Sequence, residues 1–276
     1  MLKKILGIMS AIIMTVAFAT GCSKSSTEVE KDKKHIVVGG TSISEVTYQA
    51  IKEKYENMGY TTEFVSFDSN PVVLEACNNG EVDISLGQHK KFVSSYNESN
   101  NGDLDMVKPY GYYTGIGLYS EKYSSVDEIP KNAKIAIMND AMNMDIALRI
   151  LEDVGLIKID ESVKNATVAD IVENPKNISV VDMDQAQTVT SLKDMDAACV
   201  FFTHMSNAKK DPAKYIARDN KMIDYPMGVI VKKENSNADW SVDFAKCFRD
   251  KDVQKEINDA FPGVFEFYTD DNQVKE

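Results

Sequence analysis

Apolar and polar positions alternate along the chain in two registers. HIVVGG (35–40) is a short apolar run closed by glycines. Residues 43–58 place Ile43, Val46, Ala50, Ile51 and Tyr55 at helical spacing, and TTEFVSF (61–67) returns to strand alternation. The βαβ rhythm continues with PVVLEACNNG (71–80), a helix stopped by glycine, VDISLG (82–87), a strand, and a helix over 89–97. A long extended stretch, DMVKPYGYYTGIGLYS (105–120), separates this set from a second. That second set runs KIAIMN (134–139) strand, 142–154 helix, NISVVDMD (177–184) strand, 184–192 helix and DAACVFF (196–202) strand. Two α/β units in series predict an α/β fold of two lobes with mainly parallel sheets. MGVIVKK (227–233) is one more strand, and the helices near 238–248 and 251–260 follow it back toward the first lobe. A chain that crosses twice makes a two-strand hinge, and ligands then sit between the lobes, against strand carboxyl ends and helix amino ends.

The helix over 142–154 begins at such a place. Met144, Ala147, Leu148, Leu151 and Val154 form one stripe, read as its core face, with Met142 and Ile146 roughly opposite. Those two need another cover, which is either the inter-lobe cleft or a neighbouring loop. Asn139 or Asp140 is placed to cap the helix, and Arg149 either stays at the surface or reaches back toward the cleft.

Residues 1–22, MLKKILGIMSAIIMTVAFATGC, change the picture at the amino end. Two lysines, an apolar run too short for a comfortable membrane span and small residues before a cysteine read as an export signal. Ala19-Thr20-Gly21-Cys22 resembles a bacterial lipobox, which implies cleavage after residue 21 and a lipid on Cys22. The polar stretch 22–34 reads as a flexible anchored tether, and the folded part as a first lobe of 35–113 plus 226–276 around a second lobe of 114–225. That arrangement puts the protein on the extracytoplasmic side of the cell membrane.

Of the 276 residues, 31 are Lys or Arg and 43 Asp or Glu, a net charge of −12 that argues against nucleic acid or anionic lipid as a partner of the folded part. Cys77, Cys199 and Cys247 lack metal or redox spacing and read as buried free thiols. No nucleophile elbow, phosphate loop or zinc-protease motif is present, so no catalytic residue and no cofactor or metal is expected. An enzyme on this scaffold would need paired groups across the cleft, and the sequence selects no pair.

An exported, lipid-tethered, two-lobed chain points to a solute-binding protein of an ABC importer. GEVDISLGQHKKF (80–92), GLYSEKYSSVDEIP (117–130), KIAIMND (134–140), LEDVGLIKI (151–159) and above all DIVENPKN (170–177) resemble the NlpA lipoprotein family, the methionine-binding proteins of methionine ABC transporters. The resemblance implies a bilobed type 2 periplasmic-binding-protein fold, hinge closure on a small-molecule ligand, a monomer, and a permease and ATPase as partners. Carried over residue by residue, the family's pocket falls at Asn70, His89, Phe92, Tyr112, Asn143, Ile146, Thr203 and Met227. The family pattern has an arginine that grips the ligand carboxylate where Ile146 stands, a glycine at Asp145, and asparagines at Thr203 and Met227. Its aromatic walls fall at Asn70 and Gly87, a tyrosine at Phe92 and a histidine at Tyr112, while His89 and Asn143 are retained. Losing an arginine's charge-assisted bonds costs a few kcal/mol of affinity, roughly a hundredfold, which speaks against methionine itself. A small organic solute, an amino acid or a related compound, is the expected ligand. The competing expectation is a degenerate binding protein that serves as a surface sensor or partner-binding lipoprotein without transport.

Overall fold

The computed structural model describes residues 33–275, so the export signal, Cys22 and most of the tether lie outside the described residues. Among the described residues no helix is long and apolar enough to cross a membrane. The first set of elements is β1 (His35–Gly40), α1 (Ser42–Glu56), β2 (Thr61–Ser66), α2 (Asn70–Asn79), β3 (Ile84–Ser85), α3 (Lys90–Asn100) and β4 (Leu104–Met106). The chain then passes through β5 (Tyr112–Thr114) into β6 (Ile116–Tyr119), β7 (Lys134–Met138), α4 (Ala141–Asp153), β8 (Lys158–Ile159), β9 (Ile171–Glu173) and β10 (Ser179–Met183). It continues with α5 (Gln185–Ser191), β11 (Ala197–Phe201), α6 (Phe202–Asn207) and β12 (Ala217–Arg218), then returns through β13 (Ile230–Lys232), α7 (Asp239–Cys247), α8 (Lys251–Ala260) and β14 (Phe265–Phe267).

Two five-stranded sheets result, in the orders β2-β1-β3-β13-β4 and β10-β7-β11-β6-β12, one to each lobe of an α/β bilobed fold. The sheets are mixed, with parallel and antiparallel pairings in equal number, which corrects the expectation of mainly parallel strands. β1 is parallel to β2 and β3, and β7 to β10 and β11, as crossover helices require, whereas β13, β4, β6 and β12 complete the two sheets in antiparallel fashion. The antiparallel strands are those that flank the crossings: the chain enters each lobe from the other one and runs back along the strand it meets.

The helices follow their apolar stripes. Tyr48, Ile51 and Tyr55 of α1 are buried in one cluster with Trp240 and Phe244 of α7 and Ile257 of α8, so the carboxyl-terminal helices do return to the first lobe. Gly80, at φ +77°, closes α2 in the left-handed conformation that glycine adopts without cost. The three cysteines of the folded part are free and buried.

At the crossings, Tyr112 and Met227 exchange backbone hydrogen bonds of 2.8 and 3.2 Å, and β5 pairs with β14. The Tyr112 ring packs 4.9 Å from Phe265 and 5.1 Å from Phe248. Deeper in the second lobe, the buried Asp219 carboxylate accepts from the backbone N–H groups of Ile116 (2.8 Å), Lys221 (3.0 Å) and Met222 (2.6 Å). It thereby ties the outgoing strand to the returning one.

One sequence expectation changes at α4. Its buried residues are Asn143, Asp145, Ile146, Ala147, Leu148, Ile150 and Leu151, so Ile146, 1 % exposed, belongs to the second lobe's core together with Ala147, Leu148 and Leu151 of the expected stripe, and not to a surface opposite it. Met144 and Val154, assigned to the core stripe, are only partly buried. Arg149 does not turn toward the cleft. Its guanidinium lies 3.4 Å from Asp145 and 3.0 Å from Glu152 and donates to the Val163 carbonyl.

DIVENPKN, the most distinctive of the family-like segments, is a structural staple. Asn174 bonds both the N–H and the carbonyl of Ile178, Lys176 Nζ donates to the Ile129 carbonyl at 2.7 Å, and Asn177 Nδ2 donates to Asn132. These bonds weld the turn after β9 to the segment that precedes β7.

Candidate ligand-binding site

Between the lobes lies a cavity of about 490 Å³, within the range that takes a small organic molecule. Its walls are the amino ends of three helices from each lobe: α1, α2 and α3 on one side, α4, α5 and α6 on the other. Each of these starts immediately after the carboxyl end of a strand or a short loop from it, the place where an open α/β sheet presents ligand groups.

Seven of the eight positions expected from the resemblance line this cavity: Asn70, His89, Phe92, Tyr112, Asn143, Thr203 and Met227. Ile146 does not. It sits one turn beyond Asn143 on the same helical face, about 4.5 Å farther along the axis, with its side chain in the core. Helical side chains lean toward the amino end, so an arginine at this point has the length to run past Asn143 to the cavity, and an isoleucine does not. Position 146 is therefore behind the wall, not part of it.

His89 is the N-cap of α3. Its Nδ1 accepts from the Phe92 N–H at 3.1 Å, which leaves the proton of the neutral ring on Nε2. The imidazole is 6 % exposed, and burial drops its pKa to about 4, with Asn143 working against the drop and Lys91 adding to it. At neutral pH it is an uncharged N–H donor. Asp140, the N-cap of α4, accepts from both the backbone N–H and the side-chain Nδ2 of Asn143, each at 3.0 Å. That bond pair orients Asn143 so that its Oδ1 stays an acceptor. His89 Nε2 and Asn143 Oδ1 are both buried, and neither completes a hydrogen bond of ordinary geometry.

Asn70 is held by Gln88, whose Nε2 donates to Asn70 Oδ1 at 3.1 Å while its own Oε1 accepts from Ser85. Burial pushes the Tyr112 phenol up to about 12, against a hydrogen bond with Thr47, so it stays protonated. Gly87 makes the sharp turn into this wall at φ +106°, and a Cβ there would lie 2.2 Å from Ser44 Oγ, which donates to the Leu86 carbonyl. The Gly87→Ala variant is expected to lose about 2 kcal/mol, from the strained φ and the displaced serine bond. Adding Ser44→Ala should recover the steric share and leave the backbone share; equal stability of single and double variants in urea would refute this division.

Residue-by-residue transfer missed the charged members of the wall. Asp68, Asp140 and Asp184 line the cavity and, among the described residues, no lysine or arginine does. Gln88, Phe201, His204, Phe265 and the first turn of α1 also line it. The signal for most of them was in the chain: they stand at the starts of the helices that follow the predicted strands. Phe265 had no such signal, because β14 reaches the hinge from the far end of the sequence.

Comparison with known proteins agrees with this layout. The NlpA lipoprotein family matches residues 36–266. A probable D-methionine-binding lipoprotein MetQ of Vibrio cholerae is 31% identical over 265 residues, covering 95% of this chain and 96% of that protein. Among solved structures, the substrate-binding protein of a methionine transporter from Streptococcus pneumoniae superposes with TM-score 0.76 at 31% identity, covering 85% of this chain and 95% of that one. A nutrient-binding protein from Burkholderia cenocepacia, solved with methionine bound, gives TM-score 0.76 at 27% identity over 84% of this chain and 99% of that one. Each of these relatives is named for binding a solute. On its sequence and its fold, the chain belongs to the NlpA lipoprotein family.

Proposed function

We propose that the protein is an extracytoplasmic solute-binding lipoprotein of an ABC importer, which captures a small organic solute by closing two lobes over it and delivers it to a permease. The observation that carries this reading is the inter-lobe cavity of about 490 Å³, walled by helix amino ends from both lobes. Such a wall gains contacts from each lobe only when the lobes are together, so a ligand shifts the open–closed equilibrium by its differential affinity. The relatives' names extend the reading to amino-acid uptake through a permease and its ATPase, and the lipobox-like stretch ending at Cys22 extends it to a lipid anchor on the outer face of the membrane. The hinge, in this reading, lies where the chain passes between 113 and 114 and between 225 and 226. Methionine itself is not the favoured solute, because among the described residues no lysine or arginine lines the cavity to meet its carboxylate.

The test is a thermal-shift screen against a metabolite collection, with hits followed by calorimetry and small-angle scattering. A true ligand is expected to raise the melting temperature by several degrees at a hundredfold excess over Kd, equivalent to about 2.7 kcal/mol, and to contract the molecule. A stabilising compound that leaves the scattering curve unchanged would argue against capture by closure.

A further inference from the structure

The two walls of the cavity differ in polarity. On the first-lobe side, α1 begins at Thr41, whose side chain does not cap the helix, so backbone N–H groups of its first turn remain as donors, while α2 contributes less, because Pro71 in its first turn carries no N–H. His89 adds a third donor there: its Nε2–H is buried, lines the cavity and faces the Asn143 side chain of the other wall without completing a bond of ordinary geometry to it. On the second-lobe side the unpartnered buried atom is an acceptor, Asn143 Oδ1. Beside it stands the carboxylate of Asp140, and that of Asp184 lines the same lobe's side of the cavity, each capping its own helix with lone pairs to spare. Asp68, in the turn before α2 and exposed at the rim of the first-lobe side, adds a third negative charge to the cavity as a whole. The rings of Phe92, Tyr112, Phe201 and Phe265 supply apolar surface between the two walls.

From this polarity we infer that the cleft selects solutes carrying a cationic amino group, seated against Asp140, Asp184 and Asn143, with a hydrogen-bond acceptor facing His89 and α1, and that a free carboxylate is dispensable. The inference rests on the solute-binding reading above and names its ligand class. An ammonium brings donors to the orphaned Asn143 oxygen and positive charge to a wall whose charged side chains, among the described residues, are all negative. A neutral carbonyl accepts from the His89 N–H and the helix-start donors, more weakly than a carboxylate does but without bringing an anion into a cavity that no described lysine or arginine lines. Aromatic faces favour the same cation. Relative to a site in which an arginine on the second lobe grips a carboxylate, the ligand's charged end is reversed in sign.

The discriminating experiment uses the purified full chain and a compound set in which several apolar side chains each appear as free amino acid, amino-acid amide and N-acetylated acid, screened together with a general metabolite collection. Binding of amides at least tenfold tighter than the matching N-acetyl acids is the expected result. Binding confined to N-acetyl acids or other compounds lacking an amino group would overturn this inference and leave solute capture standing. The absence of any stabilising compound in any class would remove both. For a bound amine, Asp184→Asn is expected to weaken affinity about tenfold with little change in unliganded stability, since asparagine caps a helix as well as aspartate. Unchanged affinity in that variant would overturn the seat assigned to the cation.

Discussion

Replacing Asp219 with alanine is expected to remove about 4 kcal/mol of folding stability, more than any other single substitution considered for this chain. The carboxylate is 5 % exposed and accepts from three backbone N–H groups, those of Ile116, Lys221 and Met222. Alanine leaves all three donors without a partner in a buried site, and each buried orphan costs about 1–3 kcal/mol. Burial raises the Asp219 pKa while the same three N–H groups pull it down, so part of their stabilisation offsets the cost of desolvating the charge. That opposition is why the expected loss lies nearer the lower end of the summed range. An asparagine side chain at this position keeps one oxygen as acceptor but turns an amide donor toward the remaining N–H groups, so Asp219→Asn is expected to cost about half as much. Urea unfolding measures both: the midpoint should fall with little change in slope. A loss below about 1 kcal/mol for alanine would mean that the crossing strands are held by their backbone pairing alone. Against a total margin of about 5–15 kcal/mol, the expected value decides whether the second lobe stays folded at growth temperature.

The same residue illustrates what the sequence does not display. Asp219 pairs with Ile116 across more than a hundred positions, and nothing in the local pattern around IARDNKM distinguishes a crossing strand from a loop. Strands of two or three residues such as β12 and β14 owe their existence to non-local partners, Leu118 and Gly117 for β12, Tyr112 to Thr114 for β14. By contrast β1, α1, α2, β7, β10 and β11 were legible, because each buries a continuous run or stripe large enough to show as periodicity. The long stretch 105–120 was legible as extended but not as three strands in three different sheets, since Pro109 and the glycines that turn it act only through what they pack against.

The site divides in the same way. Of the eight positions taken from the family pattern, seven line the cavity: Asn70, His89, Phe92, Asn143 and Thr203 at helix starts, and Tyr112 and Met227 at the crossings. The eighth, Ile146, failed because alignment transfers a backbone position whereas contact depends on side-chain length: from one turn behind Asn143 an arginine reaches the cavity and an isoleucine fills the core. The stripe expected on α4 held for Ala147, Leu148 and Leu151 and missed at its edges for a related reason. With Asn143 counted as polar, the apolar residues Met144, Ala147, Leu148, Leu151 and Val154 make the better-looking face. The structure also buries the asparagine, whose Nδ2 donates to Asp140, and widens the core face to take in Ile146 and Ile150. DIVENPKN carried the most recognisable resemblance and none of the cavity lining, because it holds a turn together away from the cavity.

Acidification is expected to destabilise the protein by way of His89. The ring's pKa is about 4 in the folded state, lowered first by burial, against an ordinary value of 6.5. Above pH 6.5 the residue is neutral in both folded and unfolded chains and contributes no pH dependence. As the pH falls from 6.5 toward 4 the unfolded chain binds a proton that the folded one refuses, so stability declines, by about 3 kcal/mol at pH 4. His204, lowered by burial with Asp184 working against it, adds a smaller loss of the same sign. The variant His89→Asn separates the two, because asparagine also caps a helix from this position and does not titrate. Its stability relative to the parent protein should improve by about 3 kcal/mol between pH 7.5 and pH 4, with carboxylate titrations common to both chains cancelling in the difference. A parallel pH dependence for the two proteins, or a His89 ring that titrates near 6.5 by NMR, would show that the imidazole is solvated. In that case the neutral Nε2–H donor at the centre of the first-lobe wall would be lost as well, since a solvated ring has no fixed tautomer and water already occupies the place of the ligand's acceptor.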